Sequence, residues 1–255
     1  MRDSVTCVFV HGWAMNSAVW DECIAKLPGW IDAIVVDLPG HGTMADMPAE
    51  AQASALDGYV QALAPLVQRP VIWVGWSLGG LVVLRLAELY PQRVAAALLI
   101  ATNPCFVAQP DWSCGIEKKV FDQFALGLGR HQKKTIQRFL ALQVKGLPEA
   151  MTVVRQLQKS IQSRGSASTN ALQTGLQVLQ ETDLRQNIKL IESPLYWLLG
   201  GMDGLVPREL AQALQLEYAQ DNVKINEKAS HAPFISHPGD FMRQLLKMAE
   251  HLRAD

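Results

Sequence analysis

The stretch VIWVGWSLGG, residues 71–80, decides the fold through a serine set between two glycines. Its β-branched and aromatic residues predict a buried strand. Gly75, Ser77 and Gly79 match the pattern G-x-S-x-G, in which a sharp strand-to-helix turn exposes the serine hydroxyl. Backbones approach so closely at such a turn that flanking side chains would clash, which explains glycine at both positions. Ser77 is therefore a candidate nucleophile. An ordinary turn serine is the alternative, because a five-residue pattern also occurs by chance.

The composition is that of an ordinary globular protein. The 255 residues are 49% hydrophobic and 18% charged, which suits one large domain or a domain with an insertion. A formal net charge of -1 argues against a nucleic-acid binder, whose surface usually has a strong basic excess. The sequence shows neither a leader-like start nor about 18 uninterrupted apolar residues, so we expect a cytoplasmic protein without membrane association.

The four cysteines are scattered along the chain and form no CxxC pair. This spacing favours neither a zinc site nor a disulfide framework, so we expect reduced thiols, no metal and no organic cofactor. Cys105 follows a predicted strand but has no histidine nearby in the pattern, and it is interpreted as a buried thiol. The cysteines are Cys7, Cys23, Cys105 and Cys114.

Short apolar runs alternate with helix-like segments along most of the chain. Continuous Val, Ile and Leu runs suit strands covered on both faces, so the alternation predicts an α/β fold with a mostly parallel, doubly wound sheet. Residues 106–187 lack a strand-like run and predict successive helices. We expect a core over residues 1–105 and 188–255 and a helical cap over 106–187. The strand-like runs lie at 5–10, 33–38, 71–76, 94–102, 195–201 and 223–228.

A serine hydroxyl needs an adjacent base, and the base needs an orienting carboxylate. His231 in KASHAPF follows the last predicted strand, where a loop at the carboxyl edge of the sheet would bring it beside Ser77. His237 precedes a proline, which favours a capping or surface role. Asp203 in LLGGMDGLVP is the candidate carboxylate, because the order Ser, Asp, His accompanies this serine motif; a turn aspartate is the alternative. Asp37 precedes the serine and is interpreted as loop-forming.

Acyl transfer also needs hydrogen-bond donors aimed at the oxygen that becomes negative. The candidates for this oxyanion hole are the backbone amide of Leu78, directly after the nucleophile, and that of Trp13 in the loop VHGWAMN. A core or hydrogen-bonded role is favoured for His11 in the same loop. Trp76, beside the nucleophile, is expected to line an acyl pocket, whereas Trp20 is expected in the core.

Five segments that span nearly the whole chain, FVHGW, VVDLPGHG, GWSLGG, GGMDGLVP and SHAPF, together resemble the α/β-hydrolase superfamily. NPCF, RFLALQ, DLR, DGLVP and HAPFISHP further resemble the esterases that act on the methyl ester of pimeloyl-acyl-carrier protein in biotin synthesis. The resemblance implies an α/β-hydrolase fold with a helical cap, a serine carboxylesterase with the triad Ser77, Asp203 and His231, and acyl carrier protein as partner. It implies substrate contacts by Trp13, Leu78, His231 and the cap residues Phe139, Leu140, Ala141, Leu142 and Gln143.

The cap carries a local excess of basic residues. Eight bases but a single acid lie between residues 130 and 164, which suits an acidic partner such as acyl carrier protein. A solvated helix face is the alternative interpretation. By the resemblance, Lys134, Arg138 and Arg155 occupy carrier-docking positions. Met151 replaces one such base, and a lysine cannot reproduce a bidentate arginine contact.

Rival functions remain open at this point. A general short-chain esterase or a C–C bond hydrolase would use the same triad, and a ligand receptor would keep the hydrolase shell without turnover. An epoxide or halide hydrolase is disfavoured, because its nucleophile would be an aspartate. We expect a monomer. The resemblance implies a further strand before the first predicted strand. We expect that edge strand to be missing here, which would expose an edge of the sheet.

Overall fold

A computed structural model describes residues 4–45 and 54–254. Its strands are β1 (Val5–Val10), β2 (Ile31–Val36), β3 (Val71–Trp76), β4 (Val94–Ile100), β5 (Leu195–Gly200) and β6 (Val223–Asn226). They form one sheet in the order β2-β1-β3-β4-β5-β6, and every neighbouring pair is parallel. The predicted α/β fold with a parallel sheet is confirmed.

Helices flank this sheet and fill the segment between β4 and β5. They are α1 (Asp21–Ile24), α2 (Ala55–Leu63), α3 (Leu78–Leu89), α4 (Lys118–Gln143), α5 (Ala150–Arg164), α6 (Thr169–Glu181), α7 (Glu209–Tyr218), α8 (Pro233–Ser236) and α9 (Pro238–Ala254). α3 packs on β3 and β4, and α9 packs on β1 and β4. Among the described residues, no helix is long and apolar enough to cross a membrane.

The middle of the sheet is fully covered. All residues of β3 are buried, because a central parallel strand has packed layers on both of its faces. Val74 of β3 pairs with Phe9 of β1 on one side and with Leu98 of β4 on the other. Trp20 is buried against Phe9 and Phe234, with ring centroids 5.5 and 4.4 Å apart. The structure thus places Trp20 in the core, as its sequence context indicated.

β2 is an edge of the described sheet, and the run predicted at 33–38 ends early, at Val36. The reason lies in the next residue. The carboxylate of Asp37 accepts the backbone N–H of Ser17 at 2.6 Å and that of Thr43 at 2.8 Å. These hydrogen bonds turn the chain out of the sheet and tie the loop after β2 to the loop after β1.

The predicted cap segment, 106–187, contains α4, α5 and α6. α4 bends sharply at His131, whose backbone φ of -149° and ψ of 59° are not helical. Across this bend a Cβ on Gly127 would lie 2.6 Å from Oγ1 of Thr135, although residues eight apart in a straight helix are about 12 Å apart. The bend therefore folds the second half of α4 back toward the first, so that side chains of both halves can line the same cavity. The boundaries of core and cap remain a prediction.

Replacement of Leu98 by alanine tests the packing at the centre of the sheet. Leu98 is fully buried, so we expect the variant to lose about 2 to 5 kcal/mol of unfolding free energy to lost contacts and a residual cavity. Leu216 is 75% exposed, and Leu216→Ala should change this free energy by no more than about 0.5 kcal/mol. Urea denaturation of both variants measures the difference. Equal losses would contradict this description of the core.

Candidate active site

Ser77 lies at the turn between β3 and α3 in a strained backbone conformation. Its φ of 55° and ψ of -115° are unusual for a residue with a side chain, and such strain persists only where the surroundings enforce it. The N–H of Ser77 donates to the carbonyl of Ile100 at 2.9 Å, and its own carbonyl accepts the N–H of Gly80 at 2.9 Å. The turn places the serine oxygen at the N-terminus of α3, where the helix dipole favours negative charge.

The two glycines of the motif allow three elements to meet backbone to backbone. A Cβ on Gly75 would lie 2.6 Å from the carbonyl oxygen of Gly79. A Cβ on Gly79 would lie 2.5 and 2.6 Å from the carbonyl oxygens of Val10 and His11. Real Cβ atoms do not approach so closely, so any side chain at these positions would push α3 away from β1 and β3.

The structure brings Ser77, Asp203 and His231 together. Nε2 of His231 lies 3.0 Å from Oγ of Ser77, and Nδ1 lies 2.8 Å from Oδ2 of Asp203. The other oxygen of Asp203 accepts the N–H groups of Leu205 at 2.8 Å and Val206 at 3.1 Å, which fixes the carboxylate. With Nδ1–H donating to Asp203, Nε2 can accept the serine proton. This geometry is that of a nucleophile, a base and an orienting carboxylate.

The backbone of His231 is held from two sides. Its N–H donates to the carbonyl of Gln143 in α4 at 3.1 Å, and its carbonyl accepts the indole N–H of Trp76 at 2.8 Å. Trp76 also packs edge-on against Phe234, with ring centroids 5.0 Å apart. The cap and the core thus both restrain the loop that carries the base.

A narrow apolar pocket lies beside Ser77. The rings of Trp13 and Phe139 meet edge to face across it, with centroids 4.7 Å apart. A pocket lined in this way buries an apolar chain and leaves one polar atom, the serine oxygen, to react. The lining residues besides Ser77 are Trp13, Phe106, Ile116, Val120, Phe121, Phe124, Phe139, Leu176, Leu179 and Leu205.

The predicted substrate contacts fall into two groups. Trp13 and Phe139 line the pocket, whereas Trp76 does not, because its ring lies beneath the loop of His231. In this structure Trp76 supports the loop of His231, and its expected contact with the acyl group stays a prediction. Along the rest of the predicted cap segment, Leu140 and Gln143 are buried, Leu142 is half-buried and Ala141 is exposed.

Several aromatic and aliphatic pocket residues were not anticipated from the sequence. Val120, Phe121 and Phe124 come from the first half of α4, and Leu176 and Leu179 come from α6. Their helical spacing was a detectable signal, because apolar residues three or four apart share one face of a helix. That spacing does not reveal which side chains the face contacts.

The loop after β1 brings Trp13 beside the nucleophile. Ala14 has a φ of 61°, and the N–H of Met15 donates to the carbonyl of Gly12 at 3.2 Å, which closes a tight turn. The indole N–H of Trp13 donates to the carbonyl of Leu172 in α6 at 2.8 Å. The amide of Leu78, in the first turn of α3, has no partner within its own helix. The oxyanion role of these two amides stays a prediction.

Gly175 of α6 is a contact residue that sequence reasoning missed. A Cβ at this position would lie 2.8 Å from Cδ1 of Trp13 and 3.1 Å from Cδ2 of Leu78. The backbone of α6 at Gly175 therefore packs directly against the side chains of Trp13 and Leu78, the two candidate oxyanion residues. The signal in the sequence was a glycine inside a helical segment. Glycine weakens a helix, so its presence there suggests that close packing leaves no room for a side chain.

Two buried histidines, His11 of the loop after β1 and His41 of the loop after β2, pack together with ring centroids 5.0 Å apart. Nδ1 of His11 donates to the carbonyl of Gly12 at 2.8 Å, and Nε2 accepts the N–H of Leu38 at 3.0 Å, so the imidazole is neutral. Burial, and then the neighbouring His41, lowers the pKa of His11 to about 3. Burial also lowers the pKa of His41. Within the described part of the chain, no group of three or more His, Cys, Asp or Glu residues is placed to hold a metal ion.

The carboxylate of Asp37 belongs to the same buried region. Burial raises its pKa, but hydrogen bonds from Ser17 and Thr43 outweigh this effect and hold the pKa below its usual value. Asp37 is thus a loop-forming residue, in agreement with its interpretation from the sequence, and it lies apart from the Ser77 triad.

The predicted docking residues lie on the outer surface of the cap. Lys134 and Arg138 are exposed on the second half of α4, and Arg155 is exposed on α5. Met151, where a base was expected, is 65% exposed. Among the described residues, Lys134, Arg138 and Arg155 have no ion-pair partner, so their charges are available to another molecule.

Known proteins share the sequence pattern and the fold of this chain. A model described as the alpha/beta hydrolase family matches residues 7–244. The chain belongs to the alpha/beta hydrolase family. An esterase from Exiguobacterium antarcticum has a similar solved structure, with a TM-score of 0.86 at 19% identity over 98% of this chain and 93% of that chain. At that identity the likeness concerns the fold alone, and the predicted α/β-hydrolase fold is confirmed.

Closer relatives of this hydrolase are known by sequence. A protein of Klebsiella pneumoniae subsp. pneumoniae is 36% identical over 96% of this chain and 93% of its own length. A protein of Pectobacterium carotovorum subsp. carotovorum is 39% identical over 95% of this chain and 93% of its own length. Both are called pimeloyl-acyl-carrier-protein methyl ester esterase. The resemblance found in the sequence motifs is thereby confirmed.

Replacement of Gly175 by alanine tests the contact of the cap with the oxyanion residues. The added methyl group must displace Trp13 or Leu78, so we expect kcat for a small ester to fall about tenfold. Gly129, in α4, has open space around its Cβ position, and Gly129→Ala should leave kcat unchanged and stabilise the helix by up to about 1 kcal/mol. Steady-state kinetics and thermal melting measure both. Unchanged kcat in folded Gly175→Ala would contradict the predicted contact.

The buried histidines predict a stability that falls in mild acid. Because His11 titrates near 3 when folded and near 6.5 when unfolded, the unfolded chain alone binds its proton between these values. The free energy of unfolding should therefore drop by about 1 kcal/mol between pH 6.5 and 5.5 through His11, and the lowered pKa of His41 acts in the same direction. Denaturant titrations at both pH values measure the drop. It should shrink in His11→Asn and persist in the exposed-site control His131→Asn; an identical drop in all three proteins would refute the assignment.

Proposed function

We propose that this hydrolase is a serine carboxylesterase that removes the methyl group from a pimeloyl chain carried on acyl carrier protein, a reaction of biotin synthesis. The observation that carries the proposal is the pair of hydrogen bonds that joins Ser77 to His231 and His231 to Asp203, with Ser77 in the wall of an apolar pocket. The names of the curated relatives support the choice of substrate.

The reaction begins with attack of Oγ of Ser77 on the carbonyl carbon of the methyl ester. Nε2 of His231 takes the serine proton as the bond forms, and Asp203 stabilises the resulting imidazolium through Nδ1–H. The amides of Trp13 and Leu78 donate to the oxygen that becomes negative, at the positive end of α3. The imidazolium then protonates the departing methoxide, so methanol leaves and the pimeloyl group remains as an ester of Ser77.

Water completes the cycle. His231 removes a proton from a water molecule, which attacks the acyl carbon and forms a second tetrahedral intermediate stabilised by the same two amides. Collapse of this intermediate returns the proton to Oγ of Ser77. The products are methanol and a pimeloyl chain with a free carboxylate at its far end, still joined to the carrier through its thioester.

The pocket accounts for the class of acyl group. Its walls are aromatic and aliphatic, and they match a chain of methylene groups that gains by leaving water. Ser77 is only 2% exposed, so an ester reaches it at the end of an extended chain and not at a bulky protein surface. This arrangement favours the distal methyl ester over the carrier thioester.

The exposed bases of the cap account for the partner. Lys134 and Arg138 on α4 and Arg155 on α5 are exposed bases, and such charges attract an acidic protein and orient it as it binds. We assign carrier docking to these three residues. Compared with an arginine, Lys134 supplies charge without a bidentate contact, and Met151 supplies none.

We further propose that the enzyme is a cytoplasmic monomer. The four free cysteines Cys7, Cys23, Cys105 and Cys114 are buried, which fits a reducing compartment. Burial raises the pKa of Cys105 to about 11, so its thiol is a poor nucleophile and does not compete with Ser77.

Charge reversal on the cap separates this function from its rivals. We expect the double variant Arg138→Glu and Arg155→Glu to raise KM for pimeloyl-acyl-carrier-protein methyl ester at least about tenfold while kcat/KM for p-nitrophenyl butyrate stays within twofold. Ser77→Ala should abolish both activities in folded protein. Methanol release and nitrophenolate absorbance measure them.

Two outcomes would contradict the proposal. Hydrolysis of the small ester without hydrolysis of the carrier-bound ester would indicate a general esterase. A wild-type protein that hydrolyses neither ester and reacts slowly or not at all with a fluorophosphonate would indicate a receptor on a hydrolase scaffold.

A further inference from the structure

Asn16 is a buried polar residue that the catalytic steps above do not use. It ends the loop VHGWAMN and has no solvent-exposed surface. A buried amide must find hydrogen-bond partners, and all of its partners are identifiable. Its Oδ1 accepts the N–H of Ala18 at 3.1 Å, which caps the 3-10 turn Ser17–Trp20.

The amide nitrogen of Asn16 reaches into the cap. Nδ2 donates to the carbonyl of Gly165 at 2.9 Å and to that of Ile161 at 3.3 Å. Ile161 is in the last turn of α5, where backbone carbonyls lack partners within the helix. The side chain of Asn16 therefore donates a hydrogen bond to the C-terminal end of α5, 145 residues further along the chain.

This contact joins two parts of the proposed reaction. The loop of Asn16 carries Trp13, three residues earlier, whose amide is proposed to stabilise the oxyanion. α5 carries Arg155, which is proposed to dock the carrier. Other hydrogen bonds hold the neighbouring residues: Asp37 and Arg164 of α5 both bond to Ser17, and the indole of Trp13 bonds to α6. Asn16 lies between these two points and bonds to the backbone of α5.

We propose that Asn16 is a positioning residue that holds the oxyanion loop and the docking helix α5 in one register. The proposal rests on the proposed function, and it adds the element through which the cap sets the geometry of the transition-state contacts. Without the amide of Asn16, the loop keeps its turn and the bonds of Ser17 to Arg164 and of Trp13 to Leu172, but it loses both hydrogen bonds to the end of α5. The backbone amide of Trp13 is then held less firmly. The defect then falls on kcat and not on ground-state binding of a small ester.

A serine at this position separates the two roles of the side chain. Asn16→Ser keeps an oxygen that can cap the N–H of Ala18, but it has no amide to reach Ile161 and Gly165. We expect Asn16→Ser and Asn16→Ala to lower kcat for p-nitrophenyl butyrate about fivefold or more, with KM within twofold. Asn16→Asp, which points a carboxylate oxygen at two carbonyls, should be at least as defective.

Arg164→Met provides the matched control. Arg164 also joins α5 to the core, through Oγ of Ser17 at 2.8 Å and Asp21 at 2.8 Å. These bonds lie beyond the turn that carries Trp13, and the ion pair with half-exposed Asp21 contributes little. This variant should keep kcat within twofold. Thermal melting of every variant establishes that the kinetics are measured on folded protein.

Hydrogen exchange supplies a readout that needs no substrate. In Asn16→Ser, amide exchange should quicken together in residues 13–16 and 161–167, since both segments lose the same attachment. Wild-type kcat in Asn16→Ser, or faster exchange in residues 17–20 alone, would overturn the proposal and leave only a capping role. These results are independent of the carrier substrate, because a wild-type enzyme that ignores the carrier-bound ester contradicts the proposed function and not the role of Asn16.

Discussion

The close approach of β1, β3 and α3 around Ser77 is the constraint on which the rest of the structure depends. The serine holds a φ of 55°, a conformation that a residue with a side chain adopts only when its surroundings enforce it. Gly75 and Gly79 permit the backbone contacts that do so, at would-be Cβ distances of 2.5 and 2.6 Å. Strain at one residue is thus balanced by packing across the central strands. The result is a fixed nucleophile at the N-terminus of a helix.

Around this turn, the carboxylate of Asp203 and the imidazoles of His231 and His11 all have hydrogen-bond partners. Asp203 accepts two backbone amides as well as the imidazole of His231, and His11 bonds on both of its ring nitrogens. Burial of such groups is costly unless they are paired, so these hydrogen bonds specify one arrangement of the loops. The low pKa of His11 follows from the same burial, and it makes the stability of the loop after β1 depend on pH.

Helices of the predicted cap segment bond directly to the loops around Ser77. The Gln143 carbonyl binds the backbone of His231, the Leu172 carbonyl binds the indole of Trp13, and α5 accepts the amide of Asn16. Each contact joins a core loop to a cap helix through a backbone carbonyl. Displacement of the cap would therefore disturb the base, the pocket wall and the proposed oxyanion donor at once.

The sequence by itself determined the parallel sheet, the serine turn and the order of Ser77, Asp203 and His231, because these depend on local patterns and on the rule that strand ends share one edge of a sheet. It did not reveal that Trp76 supports His231, nor that Gly175 touches the pocket wall. Those contacts join residues about 160 positions apart, and their register depends on how the helices pack. Only the tertiary structure decides such contacts, because helix packing is set by the summed fit of many side chains and no local pattern records it.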